Sequence, residues 1–205
     1  MAKNANNHLP HFTNAAFDIV AIAASAGGLP ALIKILSTLP PEFTAAIAIV
    51  QHLAPKYPSL MAEILTRHTA FTVKKAKEGD CLTPGIAYIA PPNRHLLVKS
   101  DGTLSLSQSK LVNFLRPSAD LLFESVAANY KDRAIALVLT GTGSDGAMGV
   151  EAIKKMGGII IVQDVKTAEF SGMPSAAIQT GNVDFILPLD EISNVLVTLV
   201  MGESY

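Results

Sequence analysis

The side chains of Ser25, His52 and Asp145 could together carry out acyl transfer. Ser25 and His52 each lie at the end of an apolar run of strand length, and Asp145 lies in the loop that follows a third run. In a set of this kind, histidine takes the proton of the serine hydroxyl, and the carboxylate orients the imidazole and stabilises its cation. Backbone N–H groups stabilise the oxyanion of the tetrahedral intermediate. These residue types predict nucleophilic catalysis at Ser25, provided that the fold brings the three side chains together.

Ser25 stands at the corner of a strand–turn–helix segment. Ile19–Ala24 is a near-continuous apolar run, as expected for a parallel strand buried on both faces, and a helical pattern opens at Pro30. This arrangement lifts the corner side chain to the carboxyl edge of a sheet and points the N–H groups of the helix N-terminus toward it. The G-x-S-x-G motif of a nucleophile elbow is only half kept, because Ala23 replaces the first glycine.

Each of the three residues also has a purely structural interpretation. Ser25 and Asp145 could each cap the helix that follows, and His52 could be a hydrogen-bonded loop residue. The functional interpretation is favoured because all three residues coincide at strand ends. Ligands of an open α/β sheet bind beyond the carboxyl ends of its strands.

Alternating strand and helix patterns predict an α/β fold: a doubly wound, mostly parallel sheet flanked by helices, with an antiparallel β-hairpin. Besides the run before Ser25, apolar runs predict buried strands at 45–50, 134–139, 159–162 and 183–187. Three shorter candidates form a patch that looks antiparallel, at 86–90, 95–98 and 104–107, the last two joined around Asp101-Gly102. The charged stretch Lys74–Asp80 is expected to be a solvated edge or loop.

Composition excludes several classes of protein. Sixteen basic and seventeen acidic residues leave a net charge of −1, so the sequence has no electrostatic footprint for nucleic acid. The single cysteine, Cys81, excludes an internal disulfide and favours a cytoplasmic setting. No apolar run approaches the ~18 residues of a membrane span, so no membrane insertion is expected. Residues 1–16 are expected to form a flexible tail and residues 17–205 a single domain.

The segment Gly141–Gly146 allows a different interpretation, because it is formally a G-x-G-x-x-G between a strand and a helix. Asp164 lies near the end of the next strand, where a dinucleotide-binding fold places its ribose-binding acid. Against a nicotinamide or flavin site stands Asp145, whose charge would repel a pyrophosphate at the helix N-terminus.

The chain order Ser, His, Asp differs from the orders found in chymotrypsin, subtilisin and the α/β-hydrolases. The sequence instead resembles the catalytic domain of the CheB-type chemoreceptor methylesterases. The similar stretches follow one another in the family's order between about Asp18 and Leu189: Ala24–Gly28, Val50–His52, Gly79, Pro84-Gly85, Ala87–Pro91, Arg94-His95, Arg116–Asp120, Leu139–Gly146 and Gly172–Pro174.

This resemblance implies a catalytic triad, two oxyanion-hole positions that act through backbone N–H groups and two substrate-binding positions: Ser25, His52 and Asp145; Ala26 and Thr142; Arg116 and Met173. It implies hydrolysis of glutamate γ-methyl esters on chemoreceptor cytoplasmic helices, with release of methanol, and deamidation of receptor glutamines as a related activity. No metal or organic cofactor is implied. The implied partners are the chemoreceptor cytoplasmic domain and a separate receiver or methyltransferase protein.

The sequence departs from the family's usual pattern around the elbow and near the Arg-Pro-Ser segment. Ala23 and Ala26 stand where glycine and threonine are usual, Leu115 stands where histidine is common, and Thr142 replaces a common methionine. The two alanines beside Ser25 leave open a non-catalytic module that docks a receptor or methyltransferase. Relatives often carry a receiver domain before the catalytic part, and the short segment before Phe17 predicts that phosphorylation control lies outside this sequence.

Overall fold

The computed structural model describes residues 12, 15–52 and 59–202. In this part of the chain the strands are β1 (Ile19–Ala24), β2 (Ala46–Gln51), β3 (Thr72–Lys75), β4 (Ile86–Ile89), β5 (His95–Val98), β6 (Leu104–Ser107), β7 (Ala134–Val138), β8 (Ile159–Gln163) and β9 (Phe185–Leu187). The helices are α1 (Gly28–Thr38), α2 (Met61–His68), α3 (Ala119–Tyr130), α4 (Ala147–Lys155), α5 (Gly172–Gln179) and α6 (Leu189–Met201).

Seven strands form one sheet in the order β3-β4-β2-β1-β7-β8-β9, and every described pairing in it is parallel. Strands β5 and β6 make a separate antiparallel hairpin. The chain runs outward from β1 to β2 and later returns to β7 on the other side of β1. The strand order therefore reverses at β1, and the carboxyl ends of β2, β1 and β7 lie side by side, where such folds bind their ligands.

The two faces of the sheet carry side chains of different size. On one face the central strands present mainly alanines, and α3, α4, α5 and the hairpin cover them. On the other face larger side chains such as Val20 and Ile22 pack against α1, α2 and α6. The buried alanines of the first face are Ala21, Ala23, Ala46, Ala48, Ala134 and Ala136. Because these side chains are short, α3 can lie close to the strands that carry the candidate site.

The predicted doubly wound, mostly parallel fold with a hairpin is confirmed, and the long apolar runs are strands. One local prediction is wrong, the antiparallel pairing of residues 86–89, and one strand, at 72–75, is not among the predicted strands. Residues 86–89 join the parallel sheet between β2 and β3, because a buried four-residue run does not reveal which strand will pair with it. Residues 72–75 form an edge strand, whose lysines suit an edge: Lys74 pairs with Asp80 and lies over the ring of Tyr88.

The segment before β1 is attached at the edge of the sheet opposite Ser25. The Phe12 N–H donates to the buried carboxylate of Asp18, which is paired with Arg133, and Arg133 also donates to the Ala15 carbonyl. Most of the predicted tail, residues 1–11, 13 and 14, lies outside the described residues. Among the residues that are described, no helix has the length and apolar character needed to cross a bilayer.

We expect Gly149→Ala to destabilise the protein by about 1–3 kcal/mol, as overpacking does in a tight core. A Cβ at this position of α4 would lie 2.5 Å from the Cβ of Phe123 in α3, an atom fixed to the helix backbone. Urea unfolding measures the effect. Met148→Ala, at the neighbouring position of the same helix, removes a side chain that is 64% exposed and should change stability little. Equal stability of the two variants would contradict the close packing of α3 and α4.

Candidate active site

Ser25 and His52 are brought together by strand register. Ala24 is the partner of Gln51 in the β1–β2 pairing, and the His52 N–H donates to the Ala24 carbonyl at 3.1 Å. The next residues, Ser25 and His52, therefore leave neighbouring strands side by side, about 5 Å apart in the backbone. The cap of α1 is Gly27, with φ 72° and no side-chain cap hydrogen bond. The interpretation of Ser25 as a side-chain cap is therefore wrong.

The turn that carries Ser25 is fixed through its backbone. The Ser25 N–H donates to the Thr140 carbonyl at 3.0 Å, and the Ser25 carbonyl accepts from the Gly28 N–H at 2.9 Å. The Gln51 side chain also binds this turn. Its Nε2 donates to the Ser25 carbonyl at 2.7 Å and to the His52 carbonyl at 3.1 Å. The Gln51 side chain fills the space above Gly28, where a Cβ would lie 2.1 Å from Oε1. Gln51 thus joins the two residues through their main chains.

The side chain of His52, which follows β2, contacts the carboxylate of Asp145, which lies in the loop after β7. The distance from His52 Nε2 to Asp145 Oδ2 is 2.8 Å, and the side chains are 11% and 1% exposed. An ionised Asp145 accepts a hydrogen bond from the protonated Nε2, which leaves Nδ1 as the basic nitrogen available to Ser25. In the chymotrypsin arrangement the two ring nitrogens have the opposite assignment. Within the described part of the chain the Ser25 hydroxyl makes no hydrogen bond, and such bonds often tighten only in the substrate complex.

The Asp145 carboxylate is also the acceptor for the beginning of α3. It accepts from Ser118 Oγ at 2.8 Å, from the Ala119 N–H at 2.6 Å and from the Asp120 N–H at 3.3 Å. Burial alone would raise the pKa of Asp145, but the hydrogen bonds from His52, Ala119 and Ser118 outweigh it and hold the pKa below its usual value. Asp145 therefore caps a helix, as the structural interpretation proposed, but the helix is α3 and not α4.

Asp120 performs the reciprocal role at the beginning of α4. Its Oδ1 accepts from the N–H groups of Gly146 and Gly149, both at 2.9 Å. Burial, together with the nearby charge of Asp145, raises the pKa of Asp120 to about 6. These are the N–H groups that a dinucleotide site would offer to a pyrophosphate. Because the Gly146 and Gly149 N–H groups already bind Asp120, they are not available to a nucleotide phosphate.

His95 supports the same network from the hairpin. It is fully buried, its Nε2 lies 3.1 Å from the Lys110 carbonyl, and its Nδ1 accepts from the Ser118 N–H at 3.2 Å. These partners require the neutral ring with its proton on Nε2. Burial lowers the pKa of His95, which favours that neutral form. His95 thus links the loop around Lys110 to the helix start that binds Asp145.

The two predicted oxyanion positions are Ala26, the residue after Ser25, and Thr142, the residue after Gly141. In the described part of the chain, neither the Ala26 N–H nor the Thr142 N–H donates a hydrogen bond. Gly141 allows the Thr142 loop to lie against the turn that carries Ser25, since a Cβ on Gly141 would lie 2.8 Å from the Ser25 Cβ. The predicted substrate-binding residue Met173 is only 1% exposed and lies beneath Gly141. Met173 is therefore placed to support this loop and not to contact a substrate.

Arg116, the other predicted substrate-binding residue, is half-buried and bound to its own loop. Its guanidinium donates to the Gln108 and Ser109 carbonyls at 3.0 and 2.7 Å and to Asn93 Oδ1 at 2.9 Å. It nevertheless lines a pocket of about 290 Å³ together with His52. The other side of this pocket is apolar, formed mainly by Leu111, Phe114, Leu115 and Pro117.

Gln51, His95, Ser118 and Asp120 were not identified as site residues from sequence. All four lie in the stretches that resemble the methylesterase family, and each is a polar residue that becomes buried. A polar residue in an otherwise apolar or helix-initiating stretch is the signal that could have identified them. Their partners, however, are distant in sequence and become apparent only in the fold.

Comparison with known proteins assigns the family. The family model described as CheB methylesterase matches residues 20–196. The chain belongs to the CheB methylesterase family. Its structure is similar to the crystal structure of the Thermotoga maritima CheB methylesterase catalytic domain, with a TM-score of 0.86 and 37% identity, covering 90% of this chain and 99% of that one.

Two full-length relatives show how much of a CheB protein the chain spans. A Moorella thermoacetica protein-glutamate methylesterase/protein-glutamine glutaminase is 39% identical over 189 residues, which are 90% of this chain and 45% of that protein. A Leptospira interrogans protein, provisionally named for the same two activities, is 42% identical over 183 residues, which are 89% of this chain and 95% of that protein. The chain thus matches nearly all of one CheB relative and less than half of another.

The wild-type protein should lose stability as pH rises through the pKa of Asp120, and we expect Asp120→Asn to abolish this loss. With the pKa raised from 3.8 to about 6, the folded state binds the Asp120 proton more tightly than the unfolded state. Asp120 therefore favours folding below the unfolded pKa, and this contribution is lost as pH rises through about 6. Asparagine does not titrate, and its Oδ1 can still accept from Gly146 and Gly149.

Urea unfolding of both proteins at several pH values tests this expectation. Between about pH 4 and pH 8 the stability of Asp120→Asn relative to wild type should rise by on the order of 2 kcal/mol. The contribution of His95 is present in both proteins and cancels in the difference. The same pH dependence in both proteins would contradict the raised pKa of Asp120.

Proposed function

We propose that this chain is a serine esterase that hydrolyses γ-methyl esters of glutamate side chains in proteins. Ser25 is the nucleophile, His52 the base and Asp145 the acid that orients it. The observation that carries the proposal is the 2.8 Å contact of the buried Asp145 carboxylate with His52, beside the strand end that holds Ser25. The relatives named protein-glutamate methylesterase/protein-glutamine glutaminase support both the ester substrate and a related glutamine deamidation.

In the first half of the reaction, Ser25 Oγ attacks the ester carbonyl carbon while Nδ1 of His52 takes its proton. The carbonyl oxygen becomes an oxyanion, stabilised by the N–H groups of Ala26 and Thr142. When the tetrahedral intermediate collapses, the bond to the methoxy oxygen breaks, and the imidazolium gives its proton to that oxygen. Methanol leaves, and the glutamyl group remains esterified to Ser25.

In the second half, water attacks the glutamyl-enzyme with His52 again as base. The bond to Ser25 Oγ breaks, the proton returns to that oxygen, and a glutamate carboxylate is released. Asp145 stays ionised throughout and stabilises the imidazolium, as the lowered pKa of its carboxyl favours. With a glutamine substrate the same steps release ammonia in place of methanol.

The proposed substrate is a methylated glutamate on a helix of a chemoreceptor cytoplasmic domain, which places the reaction in the cytoplasm. A separate receiver or methyltransferase protein is the proposed further partner. The competing function is a non-catalytic module that docks a receptor through the same surface, and the alanines at positions 23 and 26 favour it. A fluorophosphonate probe separates the two, because an activated Ser25 is labelled and the Ser25 of a docking module is not.

Methanol release from methylated receptor cytoplasmic fragments tests the proposal directly. We expect Ser25→Ala and His52→Ala each to reduce turnover on the order of 10³-fold or more, since the two residues act as one unit. Circular dichroism should show that both variants fold, because the Ser25 hydroxyl and the His52 ring are not part of the core. Equal turnover by wild type and Ser25→Ala would exclude Ser25 as the nucleophile.

Asp145→Asn should lower turnover on the order of 10³- to 10⁴-fold, because the amide carries no charge to stabilise the imidazolium and its nitrogen cannot accept a hydrogen bond from His52 Nε2. It should also cost about 1–3 kcal/mol in stability, since both carboxylate oxygens now accept from buried donors. Asp164→Asn at the end of β8 is the matched control. Its carboxylate accepts from the exposed Lys166 N–H, so both activity and stability should be nearly unchanged. Near-normal turnover of Asp145→Asn would show that Asp145 has only a structural role.

A further inference from the structure

The pocket beside His52 is bordered by a tight turn with an unusual residue at its tip. Val112 and Leu115 exchange two backbone hydrogen bonds, at 3.1 and 2.8 Å, which closes a two-residue turn. Its central residues, Asn113 and Phe114, have φ values of 47° and 66°. Turns with two positive φ values favour Asn-Gly, since glycine adopts this conformation without strain. Asparagine tolerates it, but phenylalanine at the second position is a strained residue.

Burial does not compensate for this strain. Phe114 is 94% exposed, and the nearby Leu111 is 51% exposed. An aromatic side chain held in a strained backbone conformation and left in water lowers the stability of the isolated chain. A strained outlier next to a reactive group indicates a functional role, because strain persists where the surrounding structure enforces it.

The turn is held in place by contacts on both sides. Arg116 binds the Gln108 and Ser109 carbonyls and Asn93, and His95 binds the Lys110 carbonyl. The loop before the turn is thereby attached to the hairpin and to the beginning of α3. Phe114 is presented in a fixed position, so its contact with a partner would not require the loop to become ordered first.

The position of the Val112–Leu115 turn beside His52 indicates which part of a substrate Phe114 would contact. Phe114, Leu111 and Leu115 line the same pocket as His52 and form its apolar wall. A glutamate side chain is short, and when its ester lies beside His52 the polypeptide that carries it must lie against the rim. A protein substrate therefore brings neighbouring side chains to Phe114, whereas a small free ester does not.

We propose that Phe114 is a specificity-determining residue that binds apolar side chains flanking the esterified glutamate of a protein substrate. This inference rests on the proposed esterase function and adds to it the chemical class of the substrate: a polypeptide segment in which the methylated glutamate has apolar neighbours. The Phe114 ring contributes to binding of the segment and takes no part in bond making or breaking. Its loss should therefore raise KM for a protein ester and leave kcat nearly unchanged.

The test compares Phe114→Gly with two matched variants. Glycine removes the ring and also relieves the positive φ, so Phe114→Gly should unfold at the same or a higher urea concentration than wild type. Asn113→Gly relieves strain at the neighbouring position and keeps the ring. Phe114→Tyr keeps an aromatic ring in place. Two substrates are used: a methylated receptor cytoplasmic fragment, and the γ-methyl ester of N-acetylglutamate amide, which has no flanking side chains.

With Phe114→Gly, KM for the methylated fragment should rise about tenfold, the effect of losing one aromatic anchor. Hydrolysis of the small ester should stay unchanged, and Asn113→Gly and Phe114→Tyr should resemble wild type with both substrates. An unchanged KM for the fragment would overturn the proposal and leave the exposed ring to another partner. A lower unfolding midpoint with equal loss on both substrates would also overturn it, in favour of a structural role.

Failure of the esterase function itself would have a different signature, because wild type would then release no methanol from either substrate. In that case binding of the methylated fragment to wild type and to Phe114→Gly, followed by fluorescence anisotropy of a labelled fragment, still tests the contact. About tenfold weaker binding by Phe114→Gly would support it. Equal binding, or no binding to either protein, would overturn it.

Discussion

The rest of the site depends on the burial of one charge, the carboxylate of Asp145. A buried carboxylate is stable only when hydrogen-bond donors replace the water it loses, and here those donors are the Ser118 hydroxyl, the backbone at the start of α3 and the His52 ring. Satisfying this charge therefore fixes the position of α3 relative to the loop after β7. It also fixes which nitrogen of His52 carries the proton. The geometry of the candidate site and the local fold are consequences of the same set of contacts.

The sheet makes this arrangement possible in two ways. Its strand order reverses at β1, so that Ser25, His52 and the loop with Asp145 leave three adjacent strands at one edge. The alanines on one face of these strands let α3 approach closely, and Gly149 lets α4 pack against it. The N-terminus of α3 can then reach the carboxylate. Larger side chains on that face would separate the helix from the loop, although the sheet would keep its topology.

Residue patterns predicted the parts of this structure that depend on local sequence. The long apolar runs predicted β1, β2 and β7, and the residues that follow each run supplied Ser25, His52 and Asp145 as candidate site residues. The parallel pairing of residues 86–89 could not be predicted, because a buried run of four residues specifies no partner. The roles of Gln51 and Asp120 could not be predicted either, since each depends on backbone groups that are distant in sequence and approach only in the folded chain.

Asp145 caps α3, and Asp120 of α3 caps α4. These two caps affect how the sequences of related proteins that have lost the activity should be interpreted. A lineage that abandons hydrolysis still needs a side-chain acceptor at position 145 to cap the beginning of α3 and one at position 120 to cap the beginning of α4, so selection for folding alone favours an acceptor at both positions. The hydroxyl of Ser25 makes no hydrogen bond in the described part of the chain, so folding does not require it. Retention of the aspartates then records only an intact architecture, and retention of the serine records the chemistry.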